Sequence, residues 1–240
     1  MLQHIHPENL FIIDIETVPA APHYDTLDPA MQKLFDDKVG RLRKEEEDKA
    51  AFYFSKAGIY AEFGKIIVIS CGHLVKTEGR YHARIKTLQH HDESILLGKF
   101  TEILTKTFTT KTFYNLCGHN IKEFDVPWLC RRLLINGFML PEILDLSGKK
   151  PWEVQHIDTL DLWKFGDYKH YTSLHLLASV LNIPTPKDDI DGSVVGKVYW
   201  EDNDLNRIAT YCSKDVLTVA QIILRMKGLA LIEPAHVSIM

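Results

Sequence analysis

Apolar residues along the chain fall into runs and into spaced repeats. Leu10-Phe11-Ile12-Ile13-Asp14-Ile15 is rich in β-branched and aromatic residues with no turn former, which predicts a central strand. Two more strands are predicted over residues 65–75 and 80–89, joined by Lys76-Thr77-Glu78-Gly79 as a hairpin turn and pairing antiparallel. Asp92 stands where it can cap a helix through Ile95, Leu96, Phe100, Ile103 and Leu104, whose spacing leaves one apolar face for a sheet. Phe113 to Cys117 then reads as a strand and Val126 to Asn136 as a helix. In the second half, Thr172 to Leu181 forms a helix that stops before Ile183-Pro184. Leu205 to Met226 repeats apolar residues at Ile208, Cys212, Val216, Val219 and Ile223, again at helical spacing. The stretch from Asp188 through Ser193 between them is read as a loop.

Strands first and interleaved helices afterwards indicate an α/β fold with a mixed sheet, within the size of one domain. A proline-bearing stretch from Pro19 to Pro29 precedes Met31 to Ala51, where the charges of residues 41–49 predict a solvated helical insertion held by local ion pairs. Neither internal repeats nor low-complexity segments interrupt the pattern.

The 240 residues are 45% hydrophobic and 25% charged, which excludes a globally disordered chain. No apolar run approaches the ~20 residues of a membrane span, and MLQHIHPENL lacks the features of a signal peptide, so a cytoplasmic protein without a membrane partner is expected. Cys71, Cys117, Cys130 and Cys212 are scattered and read as buried free thiols. A net charge of −4 gives no global sign of polyanion binding. An active site built from carboxylates would itself lower the charge, and divalent metal would then supply the missing positive charge.

Three segments carry candidate chemistry. Asp14 and Glu16 are two apart on a strand, so both carboxylates point to one face while Ile13 and Ile15 point to the other. Close, buried like charges destabilise unless a cation joins them, although for a lone Asp-x-Glu an edge strand with one wet face is the favoured explanation. Gly118-His119-Asn120-Ile121-Lys122-Glu123-Phe124-Asp125 lies between a strand and a helix, where Asp125 can serve as an N-cap; that leaves Asn120 and Phe124 unexplained. Tyr211 and Asp215 stand four apart on one helix face.

Taken in order, these segments resemble the exonuclease motifs of the DnaQ-like, or DEDD, superfamily within the ribonuclease-H-like fold: Asp-x-Glu in the first strand, Asn-x-x-x-Phe-Asp before a helix, and Tyr-x-x-x-Asp on a late helix. The second motif looks like that of proofreading domains in family B DNA polymerases. The stretch Ser173 to Arg225, with Asp191-Gly192-Ser193 and Tyr211-Cys212-Ser213-Lys214-Asp215-Val216, resembles stand-alone bacterial predicted exonucleases related to that domain. The resemblance extends from Leu10 to Met226 but leaves out residues 20–64, which are expected to be an insertion in a single ribonuclease-H-like domain. It implies that Asp14, Glu16, Asp125 and Asp215 hold two divalent ions, Mg²⁺ or Mn²⁺, and that Tyr211 orients the attacking water. Thr210 stands where the histidine subclass would need His, so the tyrosine subclass is implied. Thr17, Asn120 and Phe124 match substrate-contacting positions for a single-stranded 3′ end.

The chemistry agrees with the resemblance. Phosphodiester hydrolysis needs a hydroxide near neutral pH and relief of charge on the departing oxygen, which two metals about 3.5–4 Å apart supply. Carboxylates are the hard ligands such ions prefer. Phe124 reads either as a base-stacking ring or as a core aromatic. Asp158 and Asp161 read as helix-capping residues, with support of a metal site as the alternative. The paired histidines, His4 and His6 among them, lack metal-site spacing; Lys164, Lys169, Lys187, Lys197, Arg131 and Arg132 read first as solvent-exposed charges, with a backbone-contacting groove as the alternative. The expected activity is a metal-dependent 3′–5′ exonuclease on single-stranded DNA. An exoribonuclease and a catalytically silent nucleic-acid-binding module are the alternatives.

Overall fold

The computed structural model describes residues 2–109, 115–167, 169–184 and 190–240; Phe113, Lys187, Asp188 and Asp189, read above as strand, groove and loop residues, lie outside them. Among the described residues the strands are β1 (Leu10–Pro19), β2 (Gly64–Thr77), β3 (Arg80–Gln89), β4 (Asn115–Gly118), β5 (Ile157–Asp158) and β6 (Val237–Ile239). The helices are α1 (Pro29–Val39), α2 (Lys49–Lys56), α3 (Glu93–Thr109), α4 (Asp125–Ile135), α5 (Thr159–Lys164), α6 (Leu174–Val180), α7 (Val195–Trp200) and α8 (Leu205–Met226). The strands form one mixed sheet in the order β5-β4-β1-β2-β3-β6, with β1 and β3 antiparallel to β2 and the other pairs parallel.

The predicted central strand is there and runs on to Pro19. The hairpin is also present, with a shorter turn than the sequence suggested: Thr77 pairs directly with Arg80, and Glu78 (φ 52°) and Gly79 (φ 80°) are both left-handed, the pattern whose twist matches the flanking strands. Asp92 accepts from the amides of Ser94 and Ile95 at 2.9 and 3.3 Å, so it caps α3 as expected.

Alternation along β1 sorts its side chains between two cores. Phe11, Ile13 and Ile15 pack with Leu96, Phe100 and Leu104 of α3 and Trp128, Leu129 and Leu133 of α4. Leu10 and Ile12 face Val216, Val219 and Ile223 of α8, and Val18 packs with Val195 of α7 and Ile208 of α8. The sheet is therefore covered on both faces, each fully buried aliphatic side chain contributing about 1.5–3 kcal/mol. Glu93, at the start of α3, accepts from the Ile66 amide at 2.7 Å and from Arg132 at 2.9 Å; Arg132 also donates to the Ala61 carbonyl. Arg132 is thus a partly buried tie between α4, α3 and β2 rather than a groove residue.

The segment between β1 and β2 differs from its reading as one charged helical face. Gly40 ends α1 and Asp48 caps α2 by accepting from Ala51 at 2.9 Å, so the charges between them occupy a short 3-10 turn and irregular chain. The ion pairs join elements instead, Lys49 to Asp36 at 2.7 Å and Lys38 to Glu62 at 2.6 Å, and being well exposed they contribute little. What holds the segment is aromatic: Phe35 meets Phe52, Tyr53 and Phe63 edge-on, with ring centroids 5.1–6.0 Å apart. No helix among the described residues is long and apolar enough to cross a membrane.

Candidate active site

The site lies where β4 leaves the sheet. β4 pairs with β1 over Leu10–Ile12 and ends at Gly118. A Cβ there would fall 2.9 Å from the Ile121 side chain and 3.0 Å from the Ile13 carbonyl, so the turn requires glycine. Beyond it the edge of β1 is uncovered, and Asp125 fills the gap: its Oδ1 accepts from the Ile15 amide at 3.1 Å. Asp125 is the first residue of α4 rather than its N-cap, which is Phe124 and makes no side-chain cap bond.

The loop between Gly118 and α4 is held from outside. Asn120 is left-handed (φ 60°), a conformation that asparagine tolerates, and its carbonyl accepts from Glu123 and Phe124. Buried Asp158 accepts from the amides of Asn120 (2.9 Å), Lys122 (3.1 Å) and Leu160 (2.9 Å), so it caps α5 as read from sequence and also clamps this loop. Asp158→Ala leaves three amides without their acceptor, that of Leu160 buried and those of Asn120 and Lys122 part-buried, and is expected to lower stability by about 1–3 kcal/mol in urea denaturation. A loss under about 0.5 kcal/mol would show the clamp to be dispensable.

Asp14 and Glu16 share the β1 face that looks toward α8, as strand alternation predicts. Ligand atoms of Asp14, Glu16 and Cys212 lie within 4.8 Å of one another. The Cys212 thiol donates to Asp14 Oδ2 at 3.1 Å, and Ser70, across from Asp14 in β2, hydrogen-bonds Thr87 at 2.9 Å. Glu16, Asp125 and Asp215 are each less than a tenth exposed. Burial pushes the Asp14 carboxyl well above the usual range, and the charges of Asp125, Glu16 and Asp215 push it further. Burial does the same to Glu16, followed by Asp215 and Asp125. Asp125 is pushed up to about 7, again mainly by burial, against the lowering effect of the amides it accepts from. Tyr211 is raised by burial and then by Asp215, Glu16 and Asp14, and its hydroxyl hydrogen-bonds Asp215. Carboxylates from β1, α4 and α8 therefore converge, and a buried set of hard oxygen donors that repel one another fits a divalent cation. Cys212 was read from sequence as a core thiol. Its position three residues before Asp215, on the same helix face, is the signal that marks it.

Other candidates are placed differently. The Thr17 hydroxyl donates to the Gly58 carbonyl at 2.7 Å and so fastens β1 to the segment before β2. Phe124 is half-buried, tilted against Trp128 at 5.9 Å, and lines a cavity of about 960 Å³ that also borders Glu16. Lys164 pairs with Asp161 at 3.2 Å, and Lys122 pairs with the same Asp at 3.3 Å. Arg131, Lys169 and Lys197 are exposed. His119 is held between Thr159 Oγ1 (2.9 Å) and the Thr172 carbonyl (2.8 Å). Cys71, Cys117 and Cys212 are buried free thiols and Cys130 a half-buried one.

Residues 59–231 match a family described as predicted 3′–5′ exonucleases related to the exonuclease domain of PolB. The matched span includes Asn120, Phe124, Asp125, Tyr211 and Asp215, while Asp14 and Glu16 precede it. A comparison with curated proteins finds no match. Among solved structures, the family B DNA polymerase from the hyperthermophilic archaeon Pyrobaculum calidifontis is similar over 91% of this chain, with a TM-score of 0.52 and 15% identity. The chain spans 25% of that polymerase, and the likeness is one of fold, the ribonuclease-H-like arrangement of a mixed sheet with an antiparallel hairpin flanked by helices.

Proposed function

The chain belongs to this family of predicted 3′–5′ exonucleases, hydrolases acting on phosphodiester bonds, and on that premise we propose that it shortens single-stranded DNA from the 3′ end, releasing nucleoside 5′-monophosphates. The convergence of Asp14, Glu16, Asp125 and Asp215 carries the reading. Exonuclease domains of this kind use divalent metals, and these four carboxylates would hold two ions, Mg²⁺ or Mn²⁺. Bound divalent ions supply an activated water at neutral pH and offset charge on the departing 3′ oxygen.

The chain's own groups do the rest. Burial of Glu16, Asp125 and Asp215 keeps bulk water out and strengthens every charge interaction in the site. Tyr211 stays protonated at any working pH, which supports a role for its hydroxyl, beside Asp215, in orienting the attacking water. Asn120 and Phe124 share the turn that leads into Asp125, the Asn120 carbonyl accepting from the Phe124 amide, and Phe124 would offer the terminal nucleotide a ring face that stacks on any base.

The test is a gel assay of 5′-labelled DNA and RNA oligonucleotides of one sequence, with Mn²⁺ and with EDTA. A ladder of shortened DNA with Mn²⁺ and none with EDTA is the expected result, and Tyr211→Phe is expected to lower kcat about 10- to 1,000-fold without moving the Mn²⁺ midpoint. Shortening of RNA alone would reassign the enzyme as an exoribonuclease. No cleavage of either would sink the reading.

A further inference from the structure

Ser70 is a polar side chain with no exposed surface in the middle of β2. Strand pairing sets it beside Asp14 of β1 on one side and Thr87 of β3 on the other. Buried hydroxyls keep hydrogen-bond partners, and Ser70 has Thr87 Oγ1 at 2.9 Å and the Cys212 sulfur, to which its hydroxyl donates. Cys212, equally buried, donates in turn to Asp14, both to Oδ2 at 3.1 Å and to the main-chain carbonyl at 3.4 Å. Ser70 has one hydroxyl hydrogen and gives it to the sulfur, so Thr87 supplies the hydrogen of the 2.9 Å contact. A file of donors, Thr87 to Ser70 to Cys212 to Asp14, therefore crosses from β3 over β2 and α8 to β1. Gly72 lets α8 lie close enough for this, because a methyl group there would meet Val216, one turn beyond Cys212, at 3.1 Å.

The file ends on a carboxylate that needs holding. A carboxylate turns easily about its last bond, and Asp14 is repelled by Asp125, Glu16 and Asp215. Two bonds from one thiol, to the carboxylate and to the carbonyl of the same residue, oppose that rotation. Around them Val18, Ile67, Val68 and Ile208 are buried and apolar, and hydrogen bonds are stronger there than in water. A thiol is a weak donor, so it orients the carboxylate without taking the charge that a cation needs. Lysine or arginine in the same place would compete with the metal.

We propose that Cys212 is a positioning residue for the divalent ions: Thr87 and Ser70 hold its thiol, and the thiol holds the Asp14 carboxylate in the orientation that binds metal. The proposal rests on the exonuclease reading, in which Asp14 is a metal ligand. It gives Ser70 and Thr87, two strands away from the nucleic acid's own contacts, a part in metal affinity.

Equilibrium binding of Mn²⁺, read from the EPR signal of the free ion without nucleic acid, tests this apart from cleavage. Cys212→Ala is expected to raise the Mn²⁺ dissociation constant about 10- to 100-fold, the usual effect of removing a group that orients a ligand. Cys212→Ser, whose hydroxyl donates in the thiol's place, is expected to stay within about fivefold of the wild type. Ser70→Ala is expected to raise the constant about 3- to 10-fold in the wild type but less than about twofold in Cys212→Ala, the non-additivity of residues acting in series. A role confined to packing would move the metal-free Tm and leave the constant alone, so unchanged binding by Cys212→Ala overturns the proposal. Equal losses in the alanine and serine variants, or additive effects at the two positions, overturn it as well. A sulfur-to-metal charge-transfer band on adding Co²⁺ would make Cys212 a ligand itself and overturns the positioning role. Should Cys212→Ala fail to fold, Ser70→Ala decides, a change under about twofold overturning the proposal. All of these outcomes leave the exonuclease reading standing, whereas a wild-type protein that binds no Mn²⁺ at millimolar concentration overturns the two together.

Discussion

Asp14→Asn is expected to reduce cleavage by at least about 1,000-fold, which corresponds to about 4 kcal/mol of lost transition-state stabilisation, while leaving the metal-free fold as stable as before or more so. The two halves have one cause. Asp14 is pushed toward its protonated form by burial and by Asp125, Glu16 and Asp215, so removing its charge relieves repulsion within the folded protein. The amide oxygen of asparagine still accepts from the Cys212 thiol, so that donor keeps its partner. Steady-state cleavage rates and thermal melts in EDTA read the two effects separately. A variant that unfolds, or one that keeps more than about a tenth of the rate, would remove Asp14 from the metal site.

The second large effect is on stability against pH, with a sign opposite to ordinary acid denaturation. Asp125 titrates near 3.8 when unfolded and at about 7 when folded, with burial the main cause, and Asp14 and Glu16 are raised in the same sense. Above about pH 4 the native state holds protons that the unfolded chain has released, so these groups' contribution is full below about pH 4 and is lost as pH rises through about 7. For Asp125 alone the loss is at most about 4 kcal/mol. Buried His156, depressed to about 4 by desolvation, and half-buried His119, also depressed, act the other way below about pH 6.5. They are common to measurements with and without metal, so the difference isolates the carboxylates. Millimolar Mn²⁺ or Mg²⁺ is therefore expected to raise Tm little near pH 5 and by a growing margin up to about pH 8, since the ions replace protons at the same oxygens. Melting curves indifferent to both ions across that range would contradict the site.

The sequence made the long elements plain because their signals are local. The helix Leu205–Met226 has the bounds its apolar spacing predicts, and alternation alone placed Asp14 and Glu16 on one face of β1. β5 is two residues long and exists through its pairing with β4, which no local pattern records. α7, six residues long, likewise depends on packing against β1 and α8. Asp158 was legible as a cap, since capping is a contact between near neighbours. Its hold on Asn120, 38 residues away, was not. Arg132 beside Arg131 reads as an exposed or groove-lining charge, and only the three-dimensional position of Glu93 shows it to be partly buried and committed. The charge run before α2 failed as a helix because Asp48 caps the next one, a role that competes with helix interior at any Asp.

The bond from the Ile15 amide to Asp125 spans 110 positions of the chain, and that from Cys212 to Asp14 spans 198. Contacts of such reach form late, after the β2–β3 hairpin and the individual helices, because loop closure is the slow, entropically opposed part of acquiring this topology. The four carboxylates are consequently brought together only where these long-range contacts have closed. The proposed nuclease site is thereby a property of the finished fold and of no single segment of the chain.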